Sequence, residues 1–186
     1  MARKTTKGKK KKWFTILASK EFKHQNIGET PCYTEQELVG RKLEINLMNL
    51  LNDSKKQNIR ILFKIKEIKD GNANTDLIGY KILGSYIKRI LRKNVKKVEN
   101  SFITETKDKD KIVIKTVFIT KGKPNKAVLK NLRDTSKEFL IEQAKNHDFN
   151  NIILDVIHSK LQKSLRTKLN KIYPLIMCEL RIVNKI

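Results

Sequence analysis

Apolar and polar residues alternate along several short stretches of this 186-residue chain, and a period of two is the pattern of a half-buried β-strand. The stretch 97–106 is separated from 111–120 by four polar residues, so these two predict an antiparallel hairpin. The segments 26–31 and 50–56, with their Gly, Pro, Asn and Asp residues, predict loops. The predicted strands span residues 13–18, 43–47, 58–68, 97–106, 111–120 and 175–183.

A helical period replaces the alternation in three places. Between 80 and 94, apolar residues fall at i, i+1, i+4, i+5, i+8 and i+9, which predicts an amphipathic helix. The segment 125–146 repeats this pattern. From Ile153 to Leu169 apolar residues recur at steps of four, which predicts a single helix over 152–172 that ends before Pro174.

Strands and helices follow one another in mixed order, with no internal repeat and no interdomain linker. We therefore predict an α+β protein with a single domain over residues 13–186. Its core is a mixed or antiparallel sheet of about six or seven strands, flanked by three helices. The expected core includes Phe63, Phe102, Phe118 and Phe139, which all fall on apolar faces.

The charge of the chain changes the picture most. There are 42 Lys and Arg against 19 Asp and Glu, a net charge of +23. Residues 1–12 carry seven basic residues and no acid, so this segment is predicted to be a disordered basic tail that binds RNA. Without the tail, residues 13–186 still hold a net charge of +16. Such an excess of positive charge favours a polyanionic partner, and nucleic acid before a membrane surface.

The basic residues are mostly lysines, since only eight are arginines. Lysine contacts phosphate as a point charge, whereas arginine suits bidentate reading of bases, so the composition favours binding to the nucleic-acid backbone. The aromatic residue beside the tail, Trp13, is either an RNA contact or part of the core. The two cysteines, Cys32 and Cys178, are far apart and are expected to be free buried thiols in a reducing compartment.

An enzyme would show convergent catalytic groups. The sequence holds no phosphate-binding loop, nucleophile elbow or zinc-ligand spacing, and we expect no cofactor and no metal. One remote alternative is a small metal-dependent nuclease, in which Asp53 and the Glu67-x-Lys69 pair would hold a magnesium ion. Glu-x-Lys arises often by chance in so lysine-rich a chain, and charges on strands also discourage aggregation.

Several blocks of the chain, in order, resemble one family. They are Lys11-Lys12-Trp13-Phe14 after a lysine-rich tail, Asn26-Ile27-Gly28-Glu29-Thr30, Leu38-Val39-Gly40-Arg41 with Leu43-Glu44-Ile45-Asn46-Leu47, Phe118-Ile119-Thr120-Lys121, and Ile172-Tyr173-Pro174-Leu175. The sequence with these blocks resembles the archaeal and eukaryotic small-ribosomal-subunit proteins called S-one-e or S-three-A-e. The chain stops soon after the last block and lacks the long tail of eukaryotic members, so an archaeal-type protein is expected.

The resemblance implies a structural protein that binds small-subunit rRNA on the platform, near the rRNA 3′ end and the mRNA exit. It also implies a β-barrel-like core flanked by helices, neighbouring ribosomal proteins and mRNA as further partners, a place in cytoplasmic ribosomes, and no catalytic residues. We expect no membrane partner and no homo-oligomer. Arg41 and Lys121 match family blocks, whereas the other contacts are predicted from charge and position. The candidate RNA contacts are Arg3, Lys4, Lys7, Lys9, Lys10, Lys11, Lys12, Trp13, Arg41, Lys88, Arg89, Arg92, Lys121, Lys123, Lys126, Lys130 and Arg133.

Two other hypotheses stay open at this point. The chain is alternatively a free-standing protein that binds RNA or DNA without sequence preference, or the small nuclease described above. Sedimentation with the small subunit distinguishes the first alternative from a ribosomal protein, and magnesium-dependent cleavage of RNA would indicate the second.

Overall fold

The fold is described from a computed structural model that covers residues 10–186; the predictions for Arg3, Lys4, Lys7 and Lys9 fall outside this range. The strands are β1 (Lys12–Leu17), β2 (Asn26–Cys32), β3 (Lys42–Asn46), β4 (Ile59–Lys69), β5 (Asn72–Ile82), β6 (Lys97–Glu105), β7 (Lys111–Thr120) and β8 (Leu175–Lys185). The helices are α1 (Leu47–Leu51), α2 (Gly84–Ile90), α3 (Lys126–Asn146), α4 (Phe149–Ile157) and α5 (Lys160–Asn170). Three short 3-10 helices lie at Lys20–Phe22, Glu35–Glu37 and Ser54–Lys56.

The predicted α+β class and the single domain are confirmed, but the counts differ from six or seven strands and three helices. The described residues form eight strands and five α-helices. Strand β2 occupies a segment predicted as a loop because it contains Gly28 and Pro31. Pro31 has no N–H to donate, and it is tolerated here because β2 is an edge strand that pairs with β1 alone.

The helix predicted over 80–94 is wrong at its start. Tyr80 and Ile82 belong to β5, in which Ala73, Thr75 and Leu77 are also buried with the alternation of a strand. Helix α2 covers only Gly84–Ile90. The apolar residues of the strand's end and of the short helix together imitate one long helical stripe.

The helix predicted over 152–172 is broken into α4 and α5. Ser159 adopts a left-handed conformation with φ 58°, which ends one helix and begins the next. The buried Gln162 side chain donates a 2.9 Å hydrogen bond to the Val156 carbonyl near the end of α4. Apolar burial at steps of four continues across the break, so the sequence pattern does not reveal it.

Helix α1 lies where a strand end and a loop were predicted. Its first turn is capped by Asn46, whose side-chain oxygen accepts a 3.0 Å hydrogen bond from the Met48 N–H. Asn52 closes it in a left-handed conformation. With five residues, this helix is too short to show a period in the sequence.

The sheet order is β2-β1-β5-β8-β7-β6, and β4 pairs with both β3 and β5. All pairs are antiparallel except β1 with β5. Strand β5 is the branch point: its first residues pair with β1, and its last residues pair with β8 on the same edge. Because β2, β3 and β6 each have a single strand neighbour, the sheet is open and does not close the barrel-like core that was expected.

Two hydrophobic clusters hold the sheet. The larger one joins the helices to the face of β5, β7 and β8, and it contains Phe63, Phe102, Phe118 and Phe139, so the prediction of these core residues is confirmed. The smaller cluster lies under β1 and the second half of β4, where Phe14, Ile16 and Ile65 meet. Within residues 10–186, no helix is long and apolar enough to cross a membrane.

Candidate nucleic-acid interface

Three chain connections meet at one end of the sheet. In the strand register, Lys97 at the start of β6 lies opposite Ile119 near the end of β7, and Thr120 lies opposite Leu175 at the start of β8. The connections 91–96, 121–125 and 171–174 therefore emerge side by side. We call the exposed basic residues of these connections, together with the first residue of α3, the basic end: Arg92, Lys93, Lys96, Lys121, Lys123, Lys126 and Lys171.

Backbone hydrogen bonds fix these connections relative to one another. The Thr120 N–H donates to the Lys96 carbonyl at 3.0 Å, and the Lys96 N–H donates to the Thr120 hydroxyl at 3.1 Å. The Thr120 hydroxyl donates to the Gly122 carbonyl at 2.6 Å. The Lys121 N–H donates to the Pro174 carbonyl at 3.0 Å. The basic side chains are thus carried on a backbone with defined spacing.

The positive charge of the basic end is not neutralised within the described part of the chain. None of its seven residues forms an ion pair with a carboxylate of residues 10–186. The sequence shows the reason, because each connection lies in a stretch without acidic residues: 77–98, 111–133 and 156–178. A concentration of unpaired lysines on a fixed backbone suits contact with several phosphates.

Helices α2 and α3 extend this basic surface. Lys88 and Arg89 lie exposed on α2, and Lys126, Lys130 and Arg133 lie exposed on α3. Arg133 also anchors the helix to β6, since its Nε donates to the Glu99 carbonyl at 3.4 Å. The sequence prediction of these exposed faces agrees with the structure, and their contact with RNA stays a prediction.

Arg41 and the residues next to the tail lie elsewhere. Arg41 is exposed beside β2, where its Nη1 donates a 2.7 Å hydrogen bond to the Thr30 hydroxyl. Lys10, Lys11 and Lys12 are exposed at the start of β1. Because β1 runs parallel to β5 and pairs with its first residues, β1 begins at the end of the sheet opposite the basic end.

Trp13 is 67% exposed, which excludes the alternative that it belongs to the core. Four residues of these surfaces are not among the residues predicted from the sequence: Lys93, Lys96 and Lys171 at the basic end, and Tyr33 just beyond β2. The acid-free stretches of the sequence would have indicated the three lysines. No sequence signal marks Tyr33, because its exposure depends on the pairing of β1 with β2.

The carboxylates gather on another part of the surface. A broad open cleft between the β1 end of the sheet and the start of α4 is lined by Glu21, Glu67, Asp76, Asp108, Asp110 and Asp148 together with several lysines. Three ion pairs form around it: Lys66 with Asp76, Lys69 with Glu67, and Lys185 with Asp110. Free positive charge is thus concentrated at the basic end, whereas three of the six carboxylates of the cleft form ion pairs.

The residues of the nuclease alternative do not converge. Asp53 accepts a hydrogen bond from the Lys55 N–H before β4 begins, while Glu67 lies near the end of β4 and pairs with Lys69 at 2.8 Å. The eight residue steps from Ile59 to Glu67 span about 26 Å of extended strand. Residues 10–186 contain no group of three or more His, Cys, Asp or Glu side chains arranged to hold a metal ion.

Three ionisable groups with little exposure, Cys32, Cys178 and Glu179, are not part of the basic end. Cys32 and Cys178 are free and buried, as predicted. Burial raises the pKa of Cys178 to about 12. Burial also raises the pKa of Glu179 to about 7, although a hydrogen bond from Gln162 and the charge of Arg166 act in the opposite direction. A thiol held neutral in this way is a packing residue rather than a nucleophile.

Known archaeal proteins are similar to this chain over most of its length. The chain is 29% identical over 166 residues to the small ribosomal subunit protein eS1 of Nanoarchaeum equitans, covering 89% of this chain and 84% of that protein. It is 30% identical over 167 residues to the protein of the same name from Methanobrevibacter smithii, covering 90% and 86% of the two chains. The protein of that name from Haloarcula marismortui is 29% identical over 171 residues, covering 92% and 80%.

A family model, described as the Ribosomal S3Ae family, matches residues 1–186. This match spans the fold described above and the surfaces that carry its positive charge. The chain therefore belongs to the Ribosomal S3Ae family.

Proposed function

We propose that the chain is a structural constituent of the small ribosomal subunit, which binds rRNA through the basic end and the exposed faces of α2 and α3. The observation that carries this proposal is the group of seven exposed, unpaired basic residues held by the hydrogen bonds around Thr120. The names of the archaeal relatives support the assignment to the small subunit.

The geometry supports backbone contact more than reading of bases. The basic end contains six lysines and one arginine, and these occupy separate connections rather than one helix that could enter a groove. Lysine side chains follow phosphates at variable spacing, as in a folded rRNA with neighbouring helices. We place the contact on the platform, near the rRNA 3′ end and the mRNA exit, with ribosomal proteins as neighbours.

The experiment compares two triple variants with the same change in charge. In the first, Lys96, Lys121 and Lys123 of the basic end become Gln. In the control, Lys20, Lys23 and Lys64 become Gln; these are exposed and form no ion pair within residues 10–186. Affinity for small-subunit rRNA is measured from 50 to 300 mM salt.

Each phosphate contact contributes about 0.7–0.9 to the salt slope, so the basic-end variant should lose about 2–3 from that slope. The salt slope of the control variant should fall by less than 1, because a change in net charge away from the interface has only a small effect on this slope. Equal losses in the two variants would contradict the proposed interface. A wild-type protein that stays off the small subunit on sedimentation in physiological salt would favour a free-standing nucleic-acid-binding protein instead.

A further inference from the structure

The aromatic residues of the chain divide sharply by exposure. All seven Phe and Tyr80 are buried, while Tyr86 and Tyr173 are partly buried against the main core. The two that remain, Trp13 and Tyr33, are 67% and 38% exposed. The register of β1 and β2 places these two residues diagonally across one strand pair, although twenty positions separate them in the sequence.

The pairing of β1 with β2 brings them together. Trp13 lies opposite Pro31 in the register, and Tyr33 follows Pro31 by two residues, just beyond the end of β2. The Lys11 Nζ lies 5.3 Å from the centre of the Tyr33 ring. Lys11 precedes Trp13 by two residues, so both project from the same side of the extended chain. We call this surface, formed by Lys11, Trp13, Pro31 and Tyr33, the aromatic face.

No other strand of the described chain covers the aromatic face at its edges. Strand β1 pairs with β5 only from Thr15 to Leu17, so the part that carries Trp13 extends beyond β5. On the other side, β2 has β1 as its single strand neighbour. An exposed Trp beside an exposed Tyr on a projecting ribbon is costly to leave in water and is typical of a binding surface.

The charged residues around the aromatic face indicate which kind of ligand it binds. Lys10 and Lys11 are exposed at its border, whereas Lys12, which lies opposite Cys32, projects from the other side of β1. Among the carboxylates, Glu29 lies opposite Thr15, Asp70 precedes Gly71, whose carbonyl accepts from the Thr15 N–H, and the exposed Glu35 follows Tyr33 by two residues. The Glu37 carboxylate accepts a hydrogen bond from the Cys32 thiol, which points to the opposite side of β2 from Pro31.

We propose that the aromatic face binds an unpaired segment of RNA, with bases stacked on Trp13 and Tyr33 and phosphates held by Lys11 and by Lys10, where the chain enters β1. This inference rests on the proposed function and adds a second contact of a different kind, at the end of the sheet opposite the basic end. Every base has a face that stacks on an aromatic ring, but in a duplex those faces are covered by neighbouring base pairs. The aromatic face is therefore selective for single strands, whereas the basic end is not.

Trp13 is the only tryptophan in the chain, so its fluorescence reports on this surface directly. The full chain is titrated with a single-stranded RNA of twelve nucleotides and, separately, with the duplex of the same sequence. Stacking of a base on the indole should quench the emission with the single strand and leave it nearly unchanged with the duplex. Binding of both RNAs is followed in parallel by the anisotropy of a label on the RNA.

Variants separate stacking from charge. Trp13→Ala should weaken single-strand binding about fivefold or more and leave duplex binding within twofold, since base–aromatic stacking contributes on this scale. Trp13→Phe should restore most of the affinity. Tyr33→Ala should weaken single-strand binding in the same direction. Ile103→Ala serves as the control because Ile103 is also an exposed apolar residue, 62% exposed, but lies on β6.

Two outcomes would overturn this inference and leave the proposed function standing. One is rRNA binding that depends on the basic end while Trp13 emission does not respond to single-stranded RNA; a protein neighbour would then be the occupant of the aromatic face. The other is an equal loss of single-strand and duplex affinity in Trp13→Ala. Failure of the full chain to bind any RNA would instead contradict the proposed function.

Discussion

Gly79 of β5 lies opposite Asn184 of β8, and the Asn184 side chain occupies the space that a side chain at position 79 would need. A Cβ at Gly79 would also lie 3.1 Å from the Val183 carbonyl oxygen, which belongs to the backbone and cannot move aside alone. This close approach is at the point where β5 and β8 connect the two halves of the sheet.

Gly79→Ala should therefore destabilise the fold by about 1–3 kcal/mol, the usual cost of overpacking a filled interior. Asn184→Ala removes the obstructing amide, whose Oδ1 is buried without a hydrogen-bond partner within residues 10–186. The double variant should thus recover part of the loss in chemical denaturation. Gly84→Ala is the control, because a Cβ there meets nothing within 4 Å. Equal destabilisation by Gly84→Ala would show that steric conflict at Gly79 is not the cause.

Two buried threonines on β7 provide a matched pair. The Thr120 hydroxyl accepts from the Lys96 N–H and donates to the Gly122 carbonyl, whereas the Thr116 hydroxyl has no partner in the described structure. Thr120→Val should cost about 1–3 kcal/mol because it leaves the partly buried Lys96 N–H and Gly122 carbonyl without the hydroxyl that bonds them. Thr116→Val should be neutral or stabilising. Thermal unfolding of both variants tests the prediction, which fails if the two substitutions have the same effect.

The stability should depend on pH through Glu179. Burial raises its pKa to about 7 in the folded chain, against an ordinary value of 4.5. The folded state therefore keeps a proton that the unfolded state loses between these values, and stability decreases as the pH rises from about 4.5 to 7. Above pH 7 both states are ionised, and this contribution stays lost.

Glu179→Gln should remove this part of the pH dependence. The variant should be more stable than the wild type at pH 8, by up to about 3 kcal/mol, and the difference should shrink towards pH 5. Urea denaturation of both proteins at several pH values measures this difference in the free energy of unfolding. Parallel stability curves for the two proteins over this range would contradict the assignment to Glu179.

Removal of residues 1–9 tests whether the basic residues of the tail contact RNA phosphates. The deletion takes away Arg3, Lys4, Lys7 and Lys9 and keeps Lys12, which opens β1 opposite Cys32. The melting temperature should stay the same, while the salt slope of rRNA binding should fall by up to about 3. An unchanged slope would show that the tail makes no phosphate contacts.

The sequence predicts the strands and helices that are determined by residues close together in the chain. The hairpin of β6 and β7 and the helix α3 begin and end within one residue of their predicted bounds. The break at Ser159 escapes prediction because Ile157 and Leu161 on either side of it keep the same burial period. Strand β2 escapes because its edge position, which makes Pro31 tolerable, is a property of the whole sheet.

The candidate interface also has a part that the local sequence predicts and a part that depends on the whole sheet. Exposure of Lys126, Lys130 and Arg133 follows from the period of α3 alone. The meeting of Lys96, Lys121 and Lys171 depends on the register of β6, β7 and β8, which pairs residues up to 73 positions apart. Proximity of this kind has no local signature in the sequence.

The position of β8 in the sheet constrains how the chain can be made. Strand β8 lies between β5 and β7, although it is synthesised after both of them. Until residues 175–185 leave the exit tunnel of the translating ribosome, the sheet around β5 and the hairpin of β6 and β7 have no strand in common. The nascent chain therefore holds two separate sheets with exposed edges, and a chaperone or an early RNA contact would protect it until the last strand closes the gap.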